Sequence, residues 1–283
     1  MAKKGWAKFP HDNKSFDYSG DKLAKHWDAL HAGDCEPFPD EQRLTAVLKK
    51  HPKAGKAADA AAIAASLQEA WRAYHRGDFQ QAYEAGKELG ALGASVAVKA
   101  AGIHAVYLLD DEKAQLKRFE ELAAMAEEAS AVLPDDPNTH YRYAFALGRY
   151  SQGISVTKAL SQGLAGKVKA ALDKTLKLAP KHAEAHSALG LYHAEIVGKV
   201  GSMIGGLTYG AKASTGEELL QKAIKLTPSA PIAHVEYANG LILLYGDKRE
   251  DDAAAAYEKA GKLKPRDAME KLDAEFAKAQ IED

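Results

Sequence analysis

A proline followed six residues later by a histidine occurs three times in this chain of 283 residues. The three pairs are Pro134 with His140, Pro180 with His186 and Pro228 with His234. A small residue stands four positions after each histidine, namely Ala144, Gly190 and Ala238. A fourth proline, Pro265, ends the same kind of phrase as the other three. Because repetition at a near-constant spacing is the signature of repeat architectures, the pattern predicts a stack of similar units.

The pattern within each unit is helical. Alanine-rich amphipathic segments cover residues 57–75 and 116–132, and no stretch alternates apolar with polar residues as a half-buried strand would. The phrases His31-Ala-Gly-Asp34 and His75-Arg-Gly-Asp78 predict short turns in which glycine takes a positive φ and aspartate caps the next helix. The chain is therefore predicted to be all-α. The small residues mark close helix crossings, so Gly190→Leu should lower the melting temperature.

Three segments resemble the tetratricopeptide repeat (TPR): residues 77–83, 185–192 and 219–228. The resemblance covers residues 67–265 and is weaker over residues 21–52. It implies a right-handed α-solenoid of antiparallel helix pairs. We expect an extended N-terminal arm over residues 1–20, a repeat domain over 21–265 and a C-terminal capping helix over 266–283.

Two repeats are longer than the 34-residue period of that family, because the prolines are 46 and 48 residues apart. The extra residues, 153–166 and 198–210, lie between the first and second helices. They either pack on their neighbours or form a lid over one face. The lid candidates are Ile154, Leu160, Met203, Ile204, Leu207 and Tyr209. Repeats with such insertions resemble the regulator-of-microtubule-dynamics type and the T component of bacterial tripartite (TRAP) transporters, and both imply binding without catalysis. The second type normally carries an export signal, which the N-terminal sequence lacks.

In the resembled family the first helix of each repeat lines a concave groove. The corresponding candidates, called first-helix candidates below, are Trp71, Tyr74, Lys99, Ile103, Tyr141, Phe145, Arg149, Ser187, Leu191, Val235, Asn239 and Ile242. This face is apolar, which is typical of a binding surface. The alternative is that the register is shifted and the residues belong to the core. Lys99, Arg149 and Asn239 do not reproduce the carboxylate clamp of chaperone-binding relatives.

Composition argues against several other classes of function. The 38 basic and 39 acidic residues leave a net charge of −1, without the basic excess of a nucleic-acid binder. The single cysteine, Cys35, lies between acids that should raise its pKa. His182, Glu184 and His186 lack the order of a zinc-protease motif, and no phosphate-binding or nucleophile motif occurs. We expect no metal, no cofactor and no enzymatic activity.

Three functions remain open. The first is a scaffold that binds a protein or peptide in the groove, and the second is a carrier that encloses a small apolar ligand under the insertions. The third is peripheral membrane association through the uncharged residues around 203–209. No apolar stretch is long enough for a membrane span or a secretion signal, so we expect a cytoplasmic protein, either monomer or homodimer.

Overall fold

The computed structural model describes residues 6–282, and all of their α-helices and 3₁₀ turns follow one another without an intervening β-strand. The helices are α1 (Lys22–Leu30), α2 (Glu41–Lys50), α3 (Ala60–Arg76), α4 (Phe79–Glu88), α5 (Ala94–Leu108), α6 (Glu112–Val132), α7 (Pro137–Gln152), α8 (Val156–Ser161), α9 (Leu164–Leu178), α10 (Ala183–Tyr209), α11 (Ala213–Leu226), α12 (Pro231–Tyr245), α13 (Glu250–Lys262) and α14 (Ala268–Glu282). The all-α prediction is confirmed.

The described chain divides into two compact units. Unit 1 contains residues up to Ala29 and then Glu36–Lys174, and unit 2 contains Leu30–Cys35 and the residues from Thr175 onward. In unit 1, α3 pairs with α4 and α5 with α6. In unit 2, α10 pairs with α11 and α12 with α13. The predicted antiparallel helix pairs are therefore present in both units.

Each unit has its own apolar core. In unit 1 a cluster centred on Leu122 joins α5, α6 and α7, with alanines at the contacts where the helices approach. In unit 2 a cluster around Leu241 and Tyr257 joins α12 and α13, and Ala277 adds α14 to it. Burying these side chains supplies most of the free energy that holds neighbouring helices together.

The repeated histidines make the same hydrogen bond in all three repeats. The carbonyl oxygens of Pro134 and Pro180 lie 2.9 Å from Nε2 of His140 and His186, and that of Pro228 lies 2.8 Å from Nε2 of His234. A carbonyl only accepts, so each Nε2 carries the hydrogen and donates it. This Pro–His hydrogen bond ties each first helix to the turn before it.

One predicted turn is present and the other is not. At Gly77 the chain takes φ 90° and closes α3, but the side chain of Asp78 accepts from Arg76 Nε at 2.7 Å instead of capping α4. Asp34 does not begin a helix, because α2 starts only at Glu41. Asp34 instead pairs with His31, with 2.9 Å between Oδ1 and Nδ1. Pro37 and Pro39 keep the intervening residues out of a helix.

The aromatic side chains of the arm pack onto the helices of unit 1. The ring of Trp6 lies 5.5 Å from that of Tyr83 and 4.5 Å from that of His104, and the ring of Phe9 lies 6.4 Å from that of Phe79. Residues 1–5, which belong to the predicted arm, lie outside the described residues. The division into arm, repeat domain and cap stays a prediction.

Candidate functional site

Four of the first-helix candidates in unit 1 are interior. Trp71 and Tyr74 are 2 % and 1 % exposed and meet edge to face, with 5.5 Å between ring centroids. The ammonium of Lys99 is buried 5.7 Å from the ring of Tyr74, and Tyr141 is also buried. Sequence reasoning placed these side chains on an open groove. Trp71 is interior in part because Trp27 of α1 packs against it, with 5.8 Å between their rings, so α1 supplies a contact that the repeat pattern does not reveal.

The other three candidates of unit 1 keep part of their surface exposed. Phe145 packs over Gly102, where a Cβ would come within 2.4 Å of its ring, and it lies 6.0 Å from the ring of Phe119. Ile103 and Arg149 are half-buried. The exposed parts of these side chains are apolar at Ile103 and Phe145 and cationic at Arg149.

In unit 2 the candidates range from buried to exposed. Ser187 and Val235 are 7 % and 2 % exposed and belong to the interior. Leu191 and Asn239 are half-buried, and Ile242 is 45 % exposed. The side-chain amide of Asn239 is held on both sides: it donates to Glu236 at 2.9 Å and accepts from the Tyr257 hydroxyl at 2.5 Å.

The two insertions have different structures. The first forms the short helix α8, in which Leu160 is 51 % exposed while Ile154 packs against the core of unit 1. The second continues α10 beyond a break at Gly201, where φ is 80° and ψ is 159°. In it Met203, Ile204 and Leu207 are exposed and Tyr209 is half-buried. The prediction of a lid is not tested by these positions.

Two of the clustered histidines, His182 and His193, accept hydrogen bonds from backbone N–H groups. Nδ1 of His182 accepts from Ala185 N–H at 3.0 Å and so caps the first turn of α10. Nδ1 of His193 accepts from Lys212 N–H at 3.1 Å, which joins α10 to the start of α11. No group of three metal-ligating side chains is present within residues 6–282.

Unit 1 contains a chain of polar contacts around buried Arg142 that the sequence pattern did not predict. Arg142, 2 % exposed, donates from Nε to Ser95 Oγ at 3.3 Å, and Ser95 donates to Glu36 Oε2 at 2.7 Å. The guanidinium also lies 5.2 Å from the ring of Tyr141. A buried cation needs such partners, because its desolvation is costly. The available signal was an arginine beside Tyr141, two residues before the small residue of the repeat.

Two titratable groups have shifted pKa values with clear causes. Burial, and then the charge of Arg118, lower the pKa of His104 to about 4. Burial, and then Asp34 and Glu184, raise the pKa of Cys35. The predicted direction for Cys35 is confirmed, although burial is the main cause. A raised pKa keeps the thiol protonated and disfavours a nucleophilic role.

An open cleft of about 570 Å³ lies between α3 and α4 in unit 1. Its lining is mixed apolar and charged, and it includes Leu89, Glu69 and Arg72 but none of the insertion residues. None of the helices within the described residues combines the length and apolar content needed to cross a bilayer.

Comparison with known proteins agrees with the fold of stacked helix pairs. The family model described as regulator of microtubule dynamics protein 1-3 matches residues 49–199, more than half of the chain. A similar solved structure is the crystal structure of TTC0263, a thermophilic TPR protein in Thermus thermophilus. It has a TM-score of 0.54 and 14 % identity, over 77 % of this chain and 99 % of that one. At that identity the likeness concerns the fold alone, and it confirms the TPR-like prediction. No curated protein matches the chain by sequence.

Proposed function

Because the chain belongs to the regulator of microtubule dynamics protein 1-3 family, we propose that it is a non-catalytic scaffold that binds a segment of a protein partner. The TPR-like fold is typical of protein interaction scaffolds. The contact is made in each unit by the first-helix candidates that keep exposed surface. These are Ile103, Phe145 and Arg149 in unit 1, and Leu191, Asn239 and Ile242 in unit 2.

The observation that carries this proposal is the partial exposure of apolar side chains beside fixed polar groups. Ile242 leaves 45 % of its surface in water on the same helix as Asn239, whose amide is already oriented by Glu236 and Tyr257. A preorganised polar group beside apolar surface gives specificity at a low entropic cost. The buried first-helix candidates then belong to the interior beneath the exposed ones.

The experiment is site-specific photo-crosslinking with benzoylphenylalanine at position 149 or 242 of the full chain. The control positions are Lys117 and Gln221, which are exposed on the second helices α6 and α11. The proposal expects the same partner to be crosslinked from positions 149 and 242 and not from the controls. Equal crosslinking from all four positions contradicts it.

The family's name refers to microtubule dynamics, so polymerised tubulin is the first partner to test by co-sedimentation. Arg149→Glu should weaken co-sedimentation if the first-helix face makes the contact, whereas Lys117→Glu should not. A cytoplasmic location and a monomeric or dimeric state stay predictions. Enclosure of a small apolar ligand under the insertions has no specific observation in its favour, because Met203 and Leu207 are exposed to water.

A further inference from the structure

The second insertion exposes three large apolar side chains to water. Met203 is 78 %, Ile204 55 % and Leu207 85 % exposed. All three lie beyond the break at Gly201, and positions 203, 204 and 207 share one face of a helix. Single exposed apolar side chains are ordinary on protein surfaces, but a group of them on one face marks an interaction site.

The start of the second insertion packs against a neighbouring helix of unit 2. A Cβ at Gly198 would lie 3.0 Å from the carbonyl oxygen of Leu243, so α10 passes directly against the end of α12. There Ile242 is 45 % and Leu243 is 39 % exposed. We call the three exposed side chains of the insertion (Met203, Ile204 and Leu207) the apolar tip.

The charge pattern around the second insertion is as distinctive as its exposure. Residues 200–211 contain no acidic, basic or histidine side chain. Exposed lysines, Lys199 and Lys212, stand at the two boundaries, and Lys199 Nζ pairs with Glu195 Oε2 at 2.6 Å; Lys248 is exposed just after α12, next to exposed Asp247. An uncharged apolar segment can therefore enter a nonpolar phase without desolvating a charge, while the cations at its base stay in water.

We propose that the apolar tip inserts into the interfacial region of an anionic lipid leaflet, with Lys199 and Lys212 at the phosphate headgroups. This is the arrangement of an interfacial helix, in which apolar burial and attraction to anionic lipid act together. The shape favours a bilayer over a folded partner. Side chains that are 78 % and 85 % exposed project from the surface, and a fluid interface accepts such a projection without a complementary pocket.

The experiment measures vesicle binding and tip insertion by the full chain. Cys35→Ser combined with Leu207→Cys places a single thiol at the tip for an environment-sensitive fluorophore. The probe should shift to the blue on phosphatidylcholine vesicles that contain phosphatidylserine, and less on phosphatidylcholine alone. Met203→Gln with Leu207→Gln should weaken binding to the anionic vesicles at least about tenfold. Lys199→Gln with Lys212→Gln should abolish the preference for phosphatidylserine.

The matched control is Val156→Gln with Leu160→Gln, which removes two apolar side chains, 52 % and 51 % exposed, from the other insertion. It should leave vesicle binding unchanged within about twofold, because two polar substitutions away from the tip remove no inserted surface. An equal loss in both double variants overturns the proposal, as does a wild-type chain that does not bind anionic vesicles. A probe that shifts to the blue without vesicles, in proportion to protein concentration, also overturns it, since a second copy would then cover the tip.

Discussion

Gly190 of α10 lies so close to Leu220 of α11 that a Cβ added to the glycine would come within 2.7 Å of Leu220 Cγ. The carbonyl oxygen of Gly216 would be 2.9 Å away. The crossing of the two helices thus depends on the missing side chain. Gly216 is small for the same reason, because a Cβ there would lie 3.1 Å from the carbonyl oxygen of Gly190.

Gly190→Ala should therefore destabilise the chain, by about 1–3 kcal/mol in free energy of unfolding. The matched control is Gly148→Ala on α7, where nothing lies within 4 Å of an added Cβ. That change should be neutral or stabilise by up to about 1 kcal/mol, because alanine favours the helix more than glycine does. Urea unfolding measures both, and equal effects would contradict the crossing.

His234→Phe should destabilise unit 2 by about 1 kcal/mol, because it keeps a ring of similar size but removes the hydrogen bond to Pro228. His140→Phe removes the equivalent bond from a half-buried histidine, where water can replace it more easily. Its cost should be smaller. Unfolding curves of the two variants test this order, and a larger loss at position 140 would contradict it.

The stability of unit 1 should fall in mild acid because of His104. Its Nε2 accepts from Ala7 N–H at 2.9 Å and its Nδ1 lies 3.0 Å from Arg118 Nη1, so in the charged ring, which has a hydrogen on both nitrogens, each N–H would face a donor. The folded pKa of about 4 is below the ordinary 6.5, so the unfolded chain binds the proton first. This contribution, up to about 3 kcal/mol, is complete above pH 6.5 and is lost as the pH falls towards 4.

Urea midpoints of wild type and His104→Gln, measured from pH 7 to pH 4, test this contribution. The glutamine side chain can still accept from Ala7 but does not titrate. On acidification the wild type should therefore lose more stability than the variant does, so the variant becomes relatively more stable as the pH falls. A constant difference would show that His104 titrates normally.

The thiol of Cys35 should react slowly with disulfide reagents at neutral pH, because burial, Asp34 and Glu184 raise its pKa. Glu184→Gln should speed the reaction by removing a negative charge, whereas Lys181→Gln should slow it further. The rate of the same reaction, measured with the chain unfolded in denaturant, supplies the reference. Native and denatured chains that react equally fast would exclude the predicted shift.

The helix pairs could be predicted from sequence because their signals are local. The interval from Pro180 to His186, the small residue at Gly190 and the glycine turn at Gly77 each act within a few residues, and all three recur in the structure as expected. The helix start predicted after Asp34 does not form, because the Asp34 side chain makes a different contact. Its carboxylate satisfies buried His31 instead of a helix end.

The exposure of the candidate site could not be predicted in the same way. Periodicity identifies which side chains share a helix face, but whether water reaches that face depends on what packs over it. Trp71 became interior in part through Trp27, which lies far earlier in the chain, and no repeat pattern marks that contact.

The order of residues alone therefore determined the helices, their pairing and the positions of the two insertions, because hydrogen bonding and side-chain spacing within a helix pair are short-range. Only the tertiary structure decided which side chains are buried and which remain in water. Lys99 and Arg142 became interior while Met203 and Leu207 stayed exposed. Burial is a property of all the atoms that surround a residue, and most of those atoms come from distant parts of the chain.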